Sequence, residues 1–167
     1  MLTFNMPLSA AVAVLPLIIG FVWYHPKVFG NLWMRETGLQ AEQLAKGNMA
    51  VIFISTYVLS LLLAMFLHVV VIHQFGYQSL FQNEPGFGTE GSDIMNQIAD
   101  FMSTNGQRFR TFGHGAFHGL ITTVFFILPI LGINALFERK SFKYILLHVG
   151  YWALCASLMG GIICHWA

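Results

Sequence analysis

Four long runs of apolar residues dominate the chain, and most polar positions lie between them. A helix that crosses a bilayer needs about 20 mostly apolar residues, so each run predicts one membrane-spanning helix. Pro16 and Pro129 fall inside two of these runs, where a proline kinks a membrane helix rather than ending it. The pattern predicts an all-α integral membrane four-helix bundle that forms a single domain over residues 1–167. The predicted spans are about 7–24, 48–75, 113–137 and 144–166.

The connection after the first run carries an unusual density of aromatic residues beside cations. Phe29, Leu32 and Trp33 follow helical spacing, while Lys27 and Arg35 fall on another face, which predicts a short helix lying in the membrane interface. Simple anchoring explains this segment, and a lipid head-group or substrate site is the alternative. The residues expected at the membrane interface, where amphipathic rings are favoured, are Trp23, Tyr24, Phe29 and Trp33.

Composition supports a lipid environment. The chain is 56% hydrophobic and 9% charged, with a mean hydropathy of +0.67, against about 25% charged residues in a typical soluble domain. The net charge of +1 gives no sign of nucleic-acid binding. The first run has neither a basic leading segment nor a small-residue cleavage site, so we interpret it as a retained helix rather than a signal peptide.

The distribution of cations predicts the orientation. Six of the eight lysines and arginines lie in the first and third connections, and only Arg108 and Arg110 lie in the second. Cytoplasmic loops carry an excess of such residues, so the first and third connections should be cytoplasmic. Both termini and the second connection, residues 76–112, should then lie outside. Within that connection Ser92 can cap a helix that ends near Asn105 and Gly106, which predicts a partly helical outer loop.

Five of the seven histidines fall toward the outer ends of the predicted helices. If the second and third helices are antiparallel neighbours, His68 should match the depth of His118, and His73 that of His114. His118 follows His114 by one helical turn, so both imidazoles share one face. Polar groups in a bilayer belong toward the bundle interior. The candidate ligands for a metal are His68, His73, His114, His118 and His165.

Small residues recur at four-residue spacing in the last two predicted helices. Such stripes allow membrane helices to approach closely. The residues expected to form this packing are Gly115, Gly119, Ser157 and Gly161.

Three interpretations of the histidines remain open. They could hydrogen bond across helices as structural contacts. They could bind a transition metal or haem, because imidazole is a common ligand and a His-x-x-x-His pair presents two nitrogens on one helix face. They could relay protons or sense pH, since histidine titrates near neutrality. The sequence contains no nucleophile motif and no phosphate-binding loop, so no catalytic residue is assigned.

Several motifs together resemble a known family. "WYHPKVFGNLW" follows the first run, "HGAFHG" opens the third, "NALFERKS" ends it, and "GYW…MGG" lies in the fourth. In combination they resemble a bacterial membrane family catalogued as domain of unknown function 1761. The resemblance covers nearly the whole chain and implies a small polytopic protein of the bacterial cytoplasmic (inner) membrane. It implies no activity, cofactor or catalytic residue.

We therefore expect a non-enzymatic packing or accessory module without a cofactor, which contacts the lipid bilayer and associates with itself or with a larger membrane complex. The small-residue stripes motivate this expectation. The alternative is a redox membrane protein in which histidines bind haem or a transition metal.

Overall fold

The computed structural model describes residues 2–167, and within them the regular structure is entirely helical. Four helical segments are long and apolar enough to cross a membrane, which confirms the all-α fold class. They are Met6–Trp23, Met49–Val71, Phe112–Phe137 and Phe142–Trp166, called the first to fourth spans below. The individual helices are α1 (Met6–Val12), α2 (Leu15–Trp23), α3 (Asn31–Thr37), α4 (Ala41–Ala45), α5 (Met49–Val71), α6 (Gln74–Ser79), α7 (Asp93–Asn105), α8 (Phe112–Thr122), α9 (Leu128–Phe137) and α10 (Phe142–Trp166).

The first and third spans are interrupted where their prolines lie. Pro16 follows the turn that separates α1 from α2, and Pro129 follows a π-helical turn at Thr123–Ile127 that separates α8 from α9. Proline has no backbone N–H and its ring crowds the preceding helical turn, so the regular hydrogen-bond ladder is broken there. Both spans continue beyond the interruption, because the flanking residues remain apolar.

The second span is shorter than its apolar pattern indicated. The prediction extended it to about residue 75, but α5 ends at Val71 and Ile72 has an extended backbone. His73 then precedes the short helix α6. The pattern continues past the break because Phe75, in α6, packs against the same core as the end of α5. Apolar composition therefore did not reveal the turn that contains His73.

The fourth span is the central helix of the bundle. Ten of the 25 residues of α10 are buried, compared with five of the 23 residues of α5. The side chains of Met159, Ile163 and Cys164 join a core with Leu67 and Val71 of α5. A central position explains why α10 is rich in small residues, since it must accept neighbours on several sides.

The close approach of α8 to α10 depends on two glycines. A Cβ atom on Gly115 would lie 2.2 Å from the carbonyl oxygen of Gly160, and one on Gly119 would lie 2.1 Å from that of Ala156. No side chain fits at either position, so the two backbones are in direct contact. Gly115 thus meets Gly160, the residue directly before Gly161, while Gly119 meets both Ala156 and the predicted Ser157, whose Cα would lie 2.8 Å from the new Cβ. A Cβ on Gly161 would meet the ring of Phe112 instead, at 2.7 Å.

Both ends of the described chain meet the second connection at one end of the bundle. The backbone N–H of Leu2 donates to Oε1 of Gln78 at 2.7 Å, and Nε2 of Gln78 donates to the carbonyl of Leu2 at 3.2 Å. Arg110 donates to the carbonyl oxygens of Cys164 and Ala167 at the end of α10. This half-buried position lowers the pKa of Arg110, because burial disfavours the charged form. These contacts hold both chain ends against the second connection, at the end of the bundle where the histidines lie.

The two connections contain the short helices that the sequence predicted. Ser92 caps α7 by accepting a hydrogen bond from the backbone N–H of Met95, and Gly106 follows the last residue of the helix, as expected. In the first connection a π turn at Pro26–Gly30 leads into α3, which ends at Gly38 in a left-handed conformation (φ 79°).

A histidine cluster as candidate metal centre

Three histidines from two separate elements meet at the end of the bundle where the chain ends lie. His73 lies in the turn between α5 and α6, while His114 and His118 lie one turn apart on α8. Thr111 begins α8 by accepting a hydrogen bond from the backbone N–H of His114, which fixes the first turn of that helix. We call His73, His114 and His118 the histidine cluster.

The imidazole nitrogens of the cluster converge. Nε2 of His73 and Nε2 of His114 are 2.9 Å apart, so one ring donates a hydrogen bond to the other. Each of the three residues offers a nitrogen that lies within 4.8 Å of those of the other two. The ring centroid of His118 is 4.9 Å from that of His73 and 4.4 Å from that of His114. Within residues 2–167, no other group of three or more potential ligand side chains lies as close together.

Neighbouring residues hold the cluster in place. The ring of Phe109 stacks on that of His114, with centroids 5.3 Å apart, and the guanidinium of Arg108 lies 5.4 Å from the Phe109 ring centroid. Phe109 reaches this position through a left-handed backbone conformation (φ 63°), which costs about 1 to 2 kcal/mol for such a residue. The turn before α8 is thus shaped to place an aromatic ring on the histidines.

A cavity of about 260 Å³ adjoins the cluster. His73 lines it together with Gln74, Phe101, Asn105, Arg108 and Phe109. Gln74 is buried and donates hydrogen bonds from Nε2 to the carbonyl oxygens of Asn105 (2.7 Å) and Arg108 (2.9 Å), which ties α6 to the end of α7. Its Oε1 atom is buried without a hydrogen-bond partner in residues 2–167. The cavity therefore has an exposed imidazole at one wall and a fixed polar floor.

The cluster has the donor set of a transition-metal site. Zinc binds imidazole nitrogens at about 2.0–2.1 Å, so two tetrahedral ligands lie about 3.4 Å apart. The His73–His114 nitrogens would separate by about half an ångström, and the nitrogen of His118 would move closer by rotation of its side chain. His73 is exposed and the other two histidines are half-buried, so an ion has access. Three nitrogens without a carboxylate suit zinc or copper better than magnesium or calcium.

The structure does not bring all five predicted histidines together. His73 and His114 meet, as expected from their matching depth, whereas the described contacts of His68 are with Ala64 and Phe4 rather than with His118. Nδ1 of the buried His68 is hydrogen bonded to the carbonyl of Ala64 at 2.9 Å, and its Nε2 has no partner in residues 2–167. Its ring lies 5.6 Å from that of Phe4. His165 is exposed and packs edge-on against Trp166.

The reason for this difference is the early end of α5. Because the helix stops at Val71, His73 lies in a turn, and from there its ring contacts those of both histidines of α8. His68 remains inside α5 and faces the N-terminal segment. The sequence analysis also missed Gln74 and Phe109. Gln74 could have been noticed as a polar residue beside His73 near the end of an apolar run.

The four residues expected at the membrane interface gather at the opposite end of the bundle. The ring centroid of Trp23 is 4.5 Å from that of Phe29, and that of Tyr24 is 5.4 Å from that of Trp33. They also contact α10, because the hydroxyl of Tyr24 is hydrogen bonded to Nδ1 of His148 at 3.0 Å. Burial raises the pKa of Tyr24, so this hydroxyl stays protonated. These aromatic residues therefore join the first connection to the bundle as well as facing its surroundings.

Comparison with known proteins gives the family. The model of the family described as "Protein of unknown function (DUF1761)" matches residues 9–164, so the chain belongs to this family. The resemblance carried by the sequence motifs is thereby confirmed. No curated protein and no solved structure matches the chain.

Proposed function

We propose that this DUF1761 membrane protein binds a transition metal ion, zinc or copper, through His73, His114 and His118. The observation that carries the proposal is the convergence of three imidazole nitrogens within 4.8 Å of one another at an accessible end of the bundle. Neutral imidazoles that face each other gain little beyond one shared hydrogen bond, whereas a metal ion satisfies all three. Three protein ligands leave a fourth position open, as in zinc sites that bind an exogenous molecule.

Haem, the other group considered from the sequence, suits these contacts less well. A porphyrin bound by two axial histidines must lie between their rings, and the 2.9 Å between Nε2 of His73 and Nε2 of His114 leaves no space for it. A bare ion requires only small side-chain movements. The geometry therefore favours a mononuclear metal site over a haem site.

The second candidate function is the packing or accessory module expected from the small-residue stripes. Those stripes are now accounted for within one chain, since Gly115 and Gly119 lie directly against Gly160 and Ala156 of α10. They no longer point to a partner. The histidine cluster, in contrast, brings three imidazoles together with one hydrogen bond between them, so metal binding is the better supported function.

We place the histidine cluster on the outer side of the cytoplasmic membrane, with both termini on that side. The opposite end has six lysines and arginines, and an excess of such residues is typical of cytoplasmic loops. Single cysteines introduced at Glu90 and Glu138 test this, because both positions are exposed and the native Cys155 and Cys164 are buried. A membrane-impermeant thiol reagent should label position 90 in intact cells. Labelling at position 138 alone would reverse the orientation.

Metal titration of the purified chain tests the proposed function. The protein, freed of metal in mild detergent, should bind close to one zinc or copper ion per chain. His114→Gln or His118→Gln should weaken binding by at least about 100-fold, since the loss of even an outer partner of a ligand costs about 10- to 100-fold. Binding should also weaken as the pH falls from about 8 to about 5, because protons compete for imidazole nitrogen.

His165→Gln is the matched control, since it removes an exposed histidine outside the cluster. It should bind metal like the wild type. Wild-type protein without stoichiometric metal, or equal losses in the His118→Gln and His165→Gln variants, would contradict the proposal.

A further inference from the structure

A second cavity, of about 330 Å³, lies at the end of the bundle opposite the histidine cluster. One wall comes from the first span and the segment after it, with Trp23, Phe29 and Leu32. The other wall is one face of α10, where the lining residues recur at helical spacing. The α10 residues are Lys143, Leu146, Leu147 and Gly150. We call this cavity the apolar groove.

The groove stays open because of a glycine and a tryptophan. A Cβ on Gly150 would lie 3.3 Å from the ring of Trp23, so the indole rests directly against the backbone of α10. The ring of Phe29 covers the other side of the indole. Nε1 of Trp23 is buried and has no hydrogen-bond acceptor in residues 2–167. The indole that lines the groove thus carries an N–H donor without a partner.

The groove also opens toward the apolar surroundings of the bundle. Leu146 is 69% exposed and lies within a span, and Phe29 is 37% exposed and lies just after one. In a membrane such exposed apolar side chains contact lipid chains. The groove is therefore reached from the bilayer, and its apolar lining suits a hydrocarbon chain.

Lys143 is the charged residue that lines the groove. It lies in the first turn of α10, and long basic side chains at helix ends extend toward the head-group region. Neighbouring cations are engaged: Arg35 lies 3.4 Å from Glu36, and Nζ of Lys140 lies 5.8 Å from the ring centroid of Tyr144. In residues 2–167 no ion pair or cation–π contact involves Lys143, and its charge acts on Glu36 only as a minor cause of that residue's lowered pKa.

The charge of this end favours an anionic ligand. The first and third connections and the start of α10 carry six cations against three carboxylates, a net charge of +3. The second connection carries two cations against four carboxylates, a net charge of −2. Basic residues at a membrane surface attract anionic lipids, with about 1 kcal/mol for each lysine or arginine.

We propose that the apolar groove binds one anionic phospholipid from the bilayer, with an acyl chain along Phe29, Leu32 and Leu146 and the phosphate on the ammonium of Lys143. The acyl chain packs against the apolar lining, and a lipid ester oxygen is an acceptor that can pair with the indole N–H of Trp23. A free phosphate would leave the apolar walls unfilled and would have one lysine as its partner. The ligand is therefore a lipid rather than a soluble anion.

Native mass spectrometry of the purified full chain, with phosphatidylglycerol or phosphatidylcholine added in detergent, tests the proposal. Phosphatidylglycerol should be retained in preference to phosphatidylcholine. Lys143→Gln should weaken its retention about fivefold, the loss expected for one lysine near a head group. Lys143→Arg should retain it. Leu146→Ser, which keeps the charge but shortens the apolar wall, should also weaken retention.

Lys27→Gln is the matched control, because it removes one positive charge at the same end from an exposed residue outside the groove. It should leave retention unchanged. Equal retention of the two lipids, or equal losses in Lys143→Gln and Lys27→Gln, would reduce the effect to general surface charge and overturn the proposal. Displacement of the lipid by glycerol phosphate at similar concentration would also overturn it, since the site would then recognise a free phosphate.

Discussion

The two ends of the bundle both contain histidines beside aromatic rings, but they use them differently. At the histidine end, the rings of His73, His114 and His118 lie within 5.0 Å of one another and their nitrogens converge. At the aromatic end, the ring of His148 lies beside those of Tyr24 and Tyr144, and no second histidine side chain joins it within the described residues.

Two hydroxyl groups at the aromatic end are engaged in hydrogen bonds to other parts of the bundle. Tyr24 is hydrogen bonded to His148, and the hydroxyl of Tyr151 donates to the carbonyl oxygen of Pro16 at 2.7 Å. These bonds join the first span to α10 and stabilise the bundle. At the histidine end the ring nitrogens are bonded to each other or remain available. A histidine in this protein is therefore a candidate ligand when its nitrogens converge with others in an accessible place, and a structural residue when, like His148, one nitrogen is hydrogen bonded to a hydroxyl within the bundle.

The seam between α8 and α10 connects the two ends, so breaking it should have the largest effect. Gly119→Ala would bring a Cβ to 2.1 Å from the carbonyl oxygen of Ala156, and the two helices must move apart. Overpacking of this kind costs about 1–3 kcal/mol and occasionally more. We expect a clearly lower melting temperature in mild detergent and weaker metal binding, because His118 lies one residue from the displaced backbone.

Gly132→Ala is the control for this prediction. Its new Cβ would meet a single atom, Cδ1 of Leu128, at an ordinary distance of 3.9 Å. Alanine is also the better helix former, so this variant should melt at the wild-type temperature or slightly above it. If both alanine variants melt alike, the direct backbone contact at Gly119 is not important for stability.

Tyr24→Phe should affect the aromatic end alone, and its effect on stability should be smaller than that of Gly119→Ala. It removes the hydrogen bond to His148 and should destabilise the protein by about 1 kcal/mol, the usual contribution of such a bond. Metal binding should be unchanged, because the histidine cluster lies at the other end. Tyr144→Phe is the control, since its ring also packs on His148 but residues 2–167 offer its hydroxyl no hydrogen-bond partner. A change in metal affinity with Tyr24→Phe would show that the ends are coupled.

The smallest expected effect is a pH-dependent change in stability that comes from Glu36 at the aromatic end. The hydroxyl of Ser141 donates to Glu36, and this bond together with Arg35 lowers the pKa of Glu36. A carboxylate whose pKa is lower in the folded state adds stability above its unfolded pKa, about 4.3, and loses it as the pH falls through the folded value. The wild type should therefore melt slightly above Glu36→Gln at about pH 7, and the difference should shrink as the pH falls below the unfolded pKa and through the lowered folded one.

Glu42→Gln provides the comparison for Glu36, because no side-chain hydrogen bond to Glu42 is found in the described chain. It should have little effect at either pH. If the difference in melting temperature between wild type and Glu36→Gln stays constant from neutral to acidic pH, the charge of the carboxylate is not its source.

Several features followed from local chemistry alone. The four spans follow from apolar length, the helix after Ser92 from its cap, and the family from motifs spread along the chain. The closeness of His73 and His114 followed from a simple count of residues in antiparallel helices. The glycines of α8 were recognised as a packing stripe; Gly119 lies against Ser157 as well as Ala156, whereas Gly115 lies against Gly160 rather than Gly161.

The sequence by itself determined that this chain is a helical membrane protein, because the length and composition of each apolar run depend only on neighbouring residues. Tertiary structure decided which histidines meet. The end of α5 at Val71 turns His73 toward α8, while His68 remains buried beside Phe4. A shift of one residue rotates a side chain by about 100° around a helix, so contacts between helices depend on breaks and rotations that an apolar pattern does not record. The histidine cluster and the apolar groove are both products of such contacts.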